Sequence, residues 1–182
     1  MKLKIPRFYI TTAFSLITVF SHAKPIVLMV GDSHVSMLGP RIESKTRGDW
    51  IFRYEGINGA FVRDWSRWIE SSLKRHHPNY LMIVLGTNDS TLKEPSIEFV
   101  ESEKLINIGK KFQCKIVWVG PPDISKRFPS ASKIKTDLVP QNVSYLDSFE
   151  KKIEISKDGV HPTRDGYTSW SDYILTRFYV RD

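Results

Sequence analysis

Residues 25–37 read PIVLMVGDSHVSM: unbroken apolar side chains from Ile26 to Val30 that stop at Gly31 and pass straight into Asp32 and Ser33. A strand with water on one face alternates polar and apolar residues, whereas a run without a polar member fits a strand covered on both faces. The segments WIFRYEG (50–56), YLMIVLG (80–86), KIVWVG (115–120) and NVSYLD (142–147) are of related type, rich in β-branched and aromatic residues. Between them mostly apolar side chains return at three- and four-residue steps. One set is Phe61, Trp65, Trp68, Ile69, Ser72 and Leu73; a second is Ile97, Val100, Leu105, Ile108 and Phe112; a third is Tyr167, Trp170, Ile174 and Phe178. That period belongs to helices with one buried stripe.

Strands and helices in alternation imply an α/β fold, a three-layer α/β/α sandwich around a mainly parallel sheet of about five strands. Ligands in such sheets gather at the carboxyl ends of the strands. Ser33 falls at one of those ends, where a strand gives way to a helix and the first backbone N–H groups are unpaired. Asp and Ser are also ordinary helix caps, which is the plainer reading of this pair. The least regular stretch, PPDISKRFPSASKIKTDLVPQ (121–141), is expected to be a long connection near the same edge, a lid or a substrate wall.

The N-terminal MKLKIPRFYITTAFSLITVFSHA (1–23) places Lys2, Lys4 and Arg7 ahead of a mostly apolar run, Phe8 to Phe20, with small residues at Ser21 and Ala23. This is the pattern of a cleaved secretory signal. The run is shorter than the roughly 20 residues of a spanning helix. Export to a periplasm or the medium is therefore expected, with no stable membrane insertion after cleavage. Residues 24–182 suffice for one domain that buries roughly 70% of its unfolded surface, and a monomer is expected.

Loss of Lys2, Lys4 and Arg7 lowers the net charge from +7 to +4. The remaining basic residues are scattered among acidic ones, which speaks against nucleic acid as a partner. Cys114 is the only cysteine, so no intrachain disulfide forms, and its place at the head of CKIVWVG suits a small buried side chain. With one cysteine, adjacent His76 and His77 and no His-x-x-x-His pair, no metal site is expected.

Three further segments carry residues of chemical interest. In GTNDS (86–90), Asn88 either closes an Asx-turn with Asp89 or offers its amide to a ligand. Asn88-Asp89-Ser90 and Asn142-Val143-Ser144 also match the N-glycosylation pattern, but a turn facing the site leaves little room for a glycan at Asn88. In EGINGAF (55–61), Gly56 and Gly59 either turn the chain or let a backbone N–H approach a ligand closely. In KDGVHPTRDGY (157–167), Asp158 precedes His161 by three residues; Pro162 biases His161 toward extended backbone, and Gly159 permits a turn that returns the carboxylate to the imidazole. A surface Asp-Gly turn beside a solvated histidine is the alternative. A serine nucleophile needs a base, and the base needs a third group to hold its tautomer; Ser33, His161 and Asp158 are residues of those three types.

Taken in order, these blocks resemble the GDSL-type esterases of the SGNH hydrolase superfamily. They are Gly31-Asp32-Ser33, Gly59 with Gly56 as the alternative, Gly86-Thr87-Asn88-Asp89, and Asp158-Gly159-Val160-His161. The likeness spans nearly all of the chain after residue 23 and departs at His34, where the name-giving motif has leucine. It implies acyl transfer: Ser33 attacks an ester carbonyl, His161 takes its proton and returns it to the departing alcohol, and Asp158 orients His161. It implies an oxyanion hole of the Ser33 and Gly59 N–H groups and the Asn88 amide, and neither metal nor organic cofactor. Asp32 is expected to hold the turn, Ser36 to be structural, and His34 to line the pocket or cover its rim.

The expected partner is an ester substrate, an acylated and chiefly acetylated polysaccharide. A lipase, lysophospholipase or thioesterase is the nearest alternative and needs an apolar acyl channel, which 121–141 with Lys126, Arg127, Lys133 and Lys135 does not obviously supply. An O-acyltransferase would use the same triad while excluding water. A silent glycan-binding module would lack a triad member, and none is lacking here.

Overall fold

The computed structural model describes residues 23–46 and 48–179. The signal expected at 1–23 lies outside them except for Ala23, and no helix of the described residues is long and apolar enough to cross a membrane.

Strands β1 (Ile26–Gly31), β2 (Ile51–Gly56), β3 (Tyr80–Val84), β4 (Lys115–Val119) and β5 (Ser144–Leu146) form one sheet in the order β2-β1-β3-β4-β5, every pair parallel. The helices are α1 (Ser33–Lys45), α2 (Val62–His76), α3 (Phe99–Lys111), α4 (Ile134–Asp137) and α5 (Arg164–Tyr179). Successive side chains of a strand point to opposite faces, and β1 divides the core accordingly. Val27 and Met29 pack with Val35, Leu38 and Ile42 of α1 and with Trp170 and Ile174 of α5. Leu28 and Val30 pack with Trp65 and Ile69 of α2 and Leu105 and Ile106 of α3. Both faces are dry, which is why the run reads without a polar break. Each such aliphatic side chain contributes about 1.5–3 kcal/mol through burial.

The chain leaves β1 toward β2 on one side and later places β3 on the other. That reversal opens a crevice at the carboxyl ends of β1 and β3, where a sheet of this order takes its ligands.

The expected buried stripes change in two places. Trp68 is 44% exposed, and Ile97 and Val100 are 74% and 69% exposed, so they are not part of the buried stripes. The dry face of α2 runs through Trp65, Ser66, Ile69, Ser72 and Leu73, and at about 100° per residue Trp68 turns off it. In the second periodic set Ile97 precedes α3, which begins at Phe99, and Val100 lies within α3 but off its dry face of Ser102, Leu105, Ile106 and Gly109. β2 is an edge strand in which Phe52 alone is buried, so Arg53 and Tyr54 reach water. Segment 121–141 is a packed wall: a 3₁₀ turn at Pro129–Lys133 leads into α4, and Ala131, Ile134 and Leu138 are buried.

Candidate active site

The end of β1 is tied down before Ser33 is presented. The Asp32 N–H donates to the Val84 carbonyl of β3 at 3.3 Å, and its carboxylate caps α1 by accepting the His34 N–H at 3.0 Å. Asp32 is thus the cap and Ser33 the first helical residue, partly buried, with its N–H among the unpaired donors of a helix start.

His161 comes to Ser33 from the loop between β5 and α5. Its Nε2 lies 3.1 Å from Ser33 Oγ, and its Nδ1 lies 2.8 Å from Asp158 Oδ2. Gly159, at φ +75°, makes the turn between them, and a bridge between Ile155 and Pro162 closes the loop. Asp158 Oδ1 accepts the Val160 N–H (2.8 Å), the His161 N–H (2.9 Å) and the Ser156 hydroxyl (2.8 Å). The two backbone donors, with the His161 ring after them, hold the Asp158 carboxyl well below the usual carboxylate range. An ionised carboxylate only accepts, so the proton between the pair sits on Nδ1, and the Nε2 lone pair faces the Ser33 hydroxyl.

Asn88 follows β3. Its Nδ2 donates to the Ala60 carbonyl at 3.0 Å, which locks the amide to the loop after β2 and leaves its second N–H for another acceptor. Asp89, fully buried, binds the same region by accepting the Val62 N–H at 3.2 Å. The two candidate glycines separate here. Gly56 is packed on α1, where an added Cβ would stand 3.0 Å from the Asp32 carbonyl oxygen and from Val35 Cβ. Gly59 adopts φ +75° with open space around it, and its N–H has no hydrogen-bond partner among the described residues. Gly59 is the glycine with a donor to offer.

His34 neither lines the pocket nor covers its rim. It is fully buried between α1 and α5, with Nδ1 2.8 Å from the Tyr167 hydroxyl and its ring centroid 5.3 Å from that of His161. The sequence signal for it was the departure from leucine; the partner, 133 residues away, carried none. Ser36 is exposed.

At Asp158 a cleft of about 520 Å³ is lined by Lys126, Arg127, Phe128, Lys157, Asp158 and Gly159. A trough of about 610 Å³ along α5, between Lys151 and Arg177, contains none of these site residues. Among the described residues no group of three His, Cys, Asp or Glu is placed to hold a metal ion.

No protein-family model and no curated protein matches the chain. Solved structures do. A GDSL-like lipase from Bacteroides thetaiotaomicron superposes with a TM-score of 0.66 at 17% identity, over 87% of this chain and 89% of that one. A psychrotrophic esterase from Pseudoalteromonas, inhibited by monoethylphosphonate, gives 0.66 at 17% identity over 87% and 100%. A family 3 carbohydrate esterase from Clostridium thermocellum gives 0.66 at 16% over 87% and 98%. The architecture is the one these hydrolases share.

Proposed function

On the premise of that GDSL-type hydrolase fold, we propose that the protein is an exported serine esterase that removes small acyl groups, chiefly acetyl, from a polysaccharide. One observation carries the reading: the hydrogen-bonded chain Ser33–His161–Asp158, at 3.1 and 2.8 Å, stands at the crevice formed by β1 and β3.

His161 accepts the Ser33 proton as Oγ attacks the ester carbonyl, and Asp158 stabilises the imidazolium that forms. Charge then develops on the carbonyl oxygen. The Ser33 and Gly59 N–H groups and the free Asn88 N–H are the donors for it, each worth roughly 100- to 1000-fold in rate. His161 returns the proton to the departing alcohol, and a water activated by the same ring releases the acid from Ser33.

Two observations support a carbohydrate as the alcohol. One fold neighbour is a carbohydrate esterase, and the cleft beside Asp158 is walled by Lys126, Arg127 and Lys157. Charged walls suit a hydroxyl-rich substrate and offer little to a long acyl chain.

Hydrolysis of p-nitrophenyl esters from acetyl to long-chain acyl by residues 24–182, with Ser33→Ala as the blank, tests the activity. The acetyl ester is expected to be turned over fastest. Rates that climb with chain length would favour a lipase, and no rate above the blank would sink the esterase reading. For export, the N-terminus of the protein recovered from its native host's periplasm or medium is expected at Lys24; material retained in the cytoplasm with Met1 intact would exclude it.

A further inference from the structure

His34 is the buried histidine that the proposed chemistry leaves unused. It sits one residue beyond Ser33 on α1, and Tyr167 sits six residues beyond His161 at the start of α5. Two parallel cross-links therefore join the same two pieces of chain: Ser33 Oγ to His161 Nε2 at 3.1 Å, and His34 Nδ1 to the Tyr167 hydroxyl at 2.8 Å. Trp170 closes the far side edge-on, its ring centroid 5.2 Å from that of His34. We propose that His34 is a positioning residue, a neutral aromatic surface that holds the His161 ring toward Ser33 and steadies its protonated form. The catalytic half of this inference rests on the esterase reading of Ser33 and His161.

The separation of the two rings is within the reach of such a contact. A cation gains from an aromatic ring within about 6 Å of its centroid, and the two imidazole centroids are 5.3 Å apart with their planes tilted by 56°. Both ends of the His34–Tyr167 pair stand on helices, so the surface is fixed before the reaction starts.

The charge state is also right. The groups that face the His34–Tyr167 pair are His161 and Asp158 from the loop, Asp32 from the cap of α1, and Arg41, whose guanidinium lies 5.5 Å over the Tyr167 ring. Burial, and then the His161 charge, push the His34 imidazole down to about 3. It stays neutral where His161 must gain and lose a proton, and so it adds no repulsive charge to the imidazolium.

Packing alone does not explain a histidine here. Its Nε2 is buried with no hydrogen-bond partner among the described residues, a cost that an apolar side chain of similar size would not carry. Leucine would fill the space between α1 and α5 without that cost, and it would also remove the aromatic surface.

The test has two readouts. In wild-type protein, histidine-ring NMR should show His34 still neutral across the acid limb of kcat/KM; His34 gaining a proton across that limb would overturn the proposal. In His34→Leu, the His161 titration midpoint and the acid limb of kcat/KM for p-nitrophenyl acetate are expected to move down by roughly half to one pH unit. The plateau kcat should fall by roughly three- to tenfold with KM little changed. Should the lone substitution leave Tyr167 stranded and the fold weakened, His34→Leu/Tyr167→Phe removes both polar ends and is expected to show the same shift. A wild-type His161 midpoint and kcat in these variants would overturn the assignment. A wild-type protein that hydrolyses no ester, yet shows the midpoint shift by NMR, would instead remove the esterase reading and leave the His34–His161 coupling standing.

Discussion

The Asn88 side chain is held by one hydrogen bond, from its Nδ2 to the Ala60 carbonyl, and that bond decides which of its N–H groups is free. On the proposed oxyanion hole, Asn88→Ala should lower kcat by about 100- to 1000-fold, and less than Ser33→Ala does, because the two proposed backbone donors survive. Steady-state rates on p-nitrophenyl acetate check the ranking, and an Asn88→Ala enzyme of wild-type kcat would remove the amide from the oxyanion hole. At Asp158 the acceptor-only carboxylate holds the proton on His161 Nδ1. Asp158→Asn presents an amide that can donate to Nδ1 instead and turn the ring to the wrong tautomer, for which a loss of about 10⁴-fold in kcat is expected. The variant should keep its near-ultraviolet circular dichroism; a loss of less than tenfold would mean that Asp158 does not set the tautomer.

Helix α5 follows the His161 loop directly and forms, with α1, the layer behind the candidate site. Tyr167, Trp170, Ile174 and Phe178 are all buried, so this periodic set forms one stripe against the sheet. Ile174 is fully buried beneath the turn that carries Trp170. Ile174→Ala is expected to cost about 2–5 kcal/mol of stability, read by urea unfolding. A cost below about 0.5 kcal/mol would mean that this layer relaxes to fill the gap. The other face behaves differently: α2 and α3 approach through Ser66 and Ser102, and Ser66 reaches Glu101 across the seam, so small residues set that packing.

Across the whole molecule, two carboxyls sit at the carboxyl ends of neighbouring strands. Burial, and then the nearby Asp89 charge, push Asp32 up to about 7. Burial and the Glu98 charge likewise push Asp89 up to about 7. In the unfolded chain both titrate near 4. Between about pH 4 and 7 the native protein keeps protons that the unfolded chain has lost, so their contribution to stability falls as the pH rises through that window. His34 acts in the opposite sense, since its depressed value makes the unfolded chain the better proton binder below its ordinary range. A comparison of variants isolates the carboxyl: Asp89→Asn should gain stability relative to wild type as the pH is raised from about 5 to 7.5. A difference that stayed flat over that window would show that Asp89 is ionised at both ends of it.

The sequence by itself determined β1, the alternation of strands and helices, and the order of the residues at the strand ends. These are local matters: an unbroken apolar run requires two dry faces, and a glycine, proline or capping residue constrains its own backbone. Ser33, Asn88, Asp158 and His161 each admit a plain cap or turn reading within their own segments, and they stood out through the order in which those segments follow one another. Only the tertiary structure decided which glycine offers a donor, because Gly56 and Gly59 differ in what packs on them rather than in their neighbours in sequence. It alone exposed Trp68, Ile97 and Val100, since helical period gives a stripe its spacing but neither the face that meets the core nor the residue at which the helix begins. It alone placed His34 against Tyr167 and His161, more than a hundred residues away. Burial and charge at that point are sums over groups that the fold collects from α1, α5 and the loop before it, and no window of sequence contains them all.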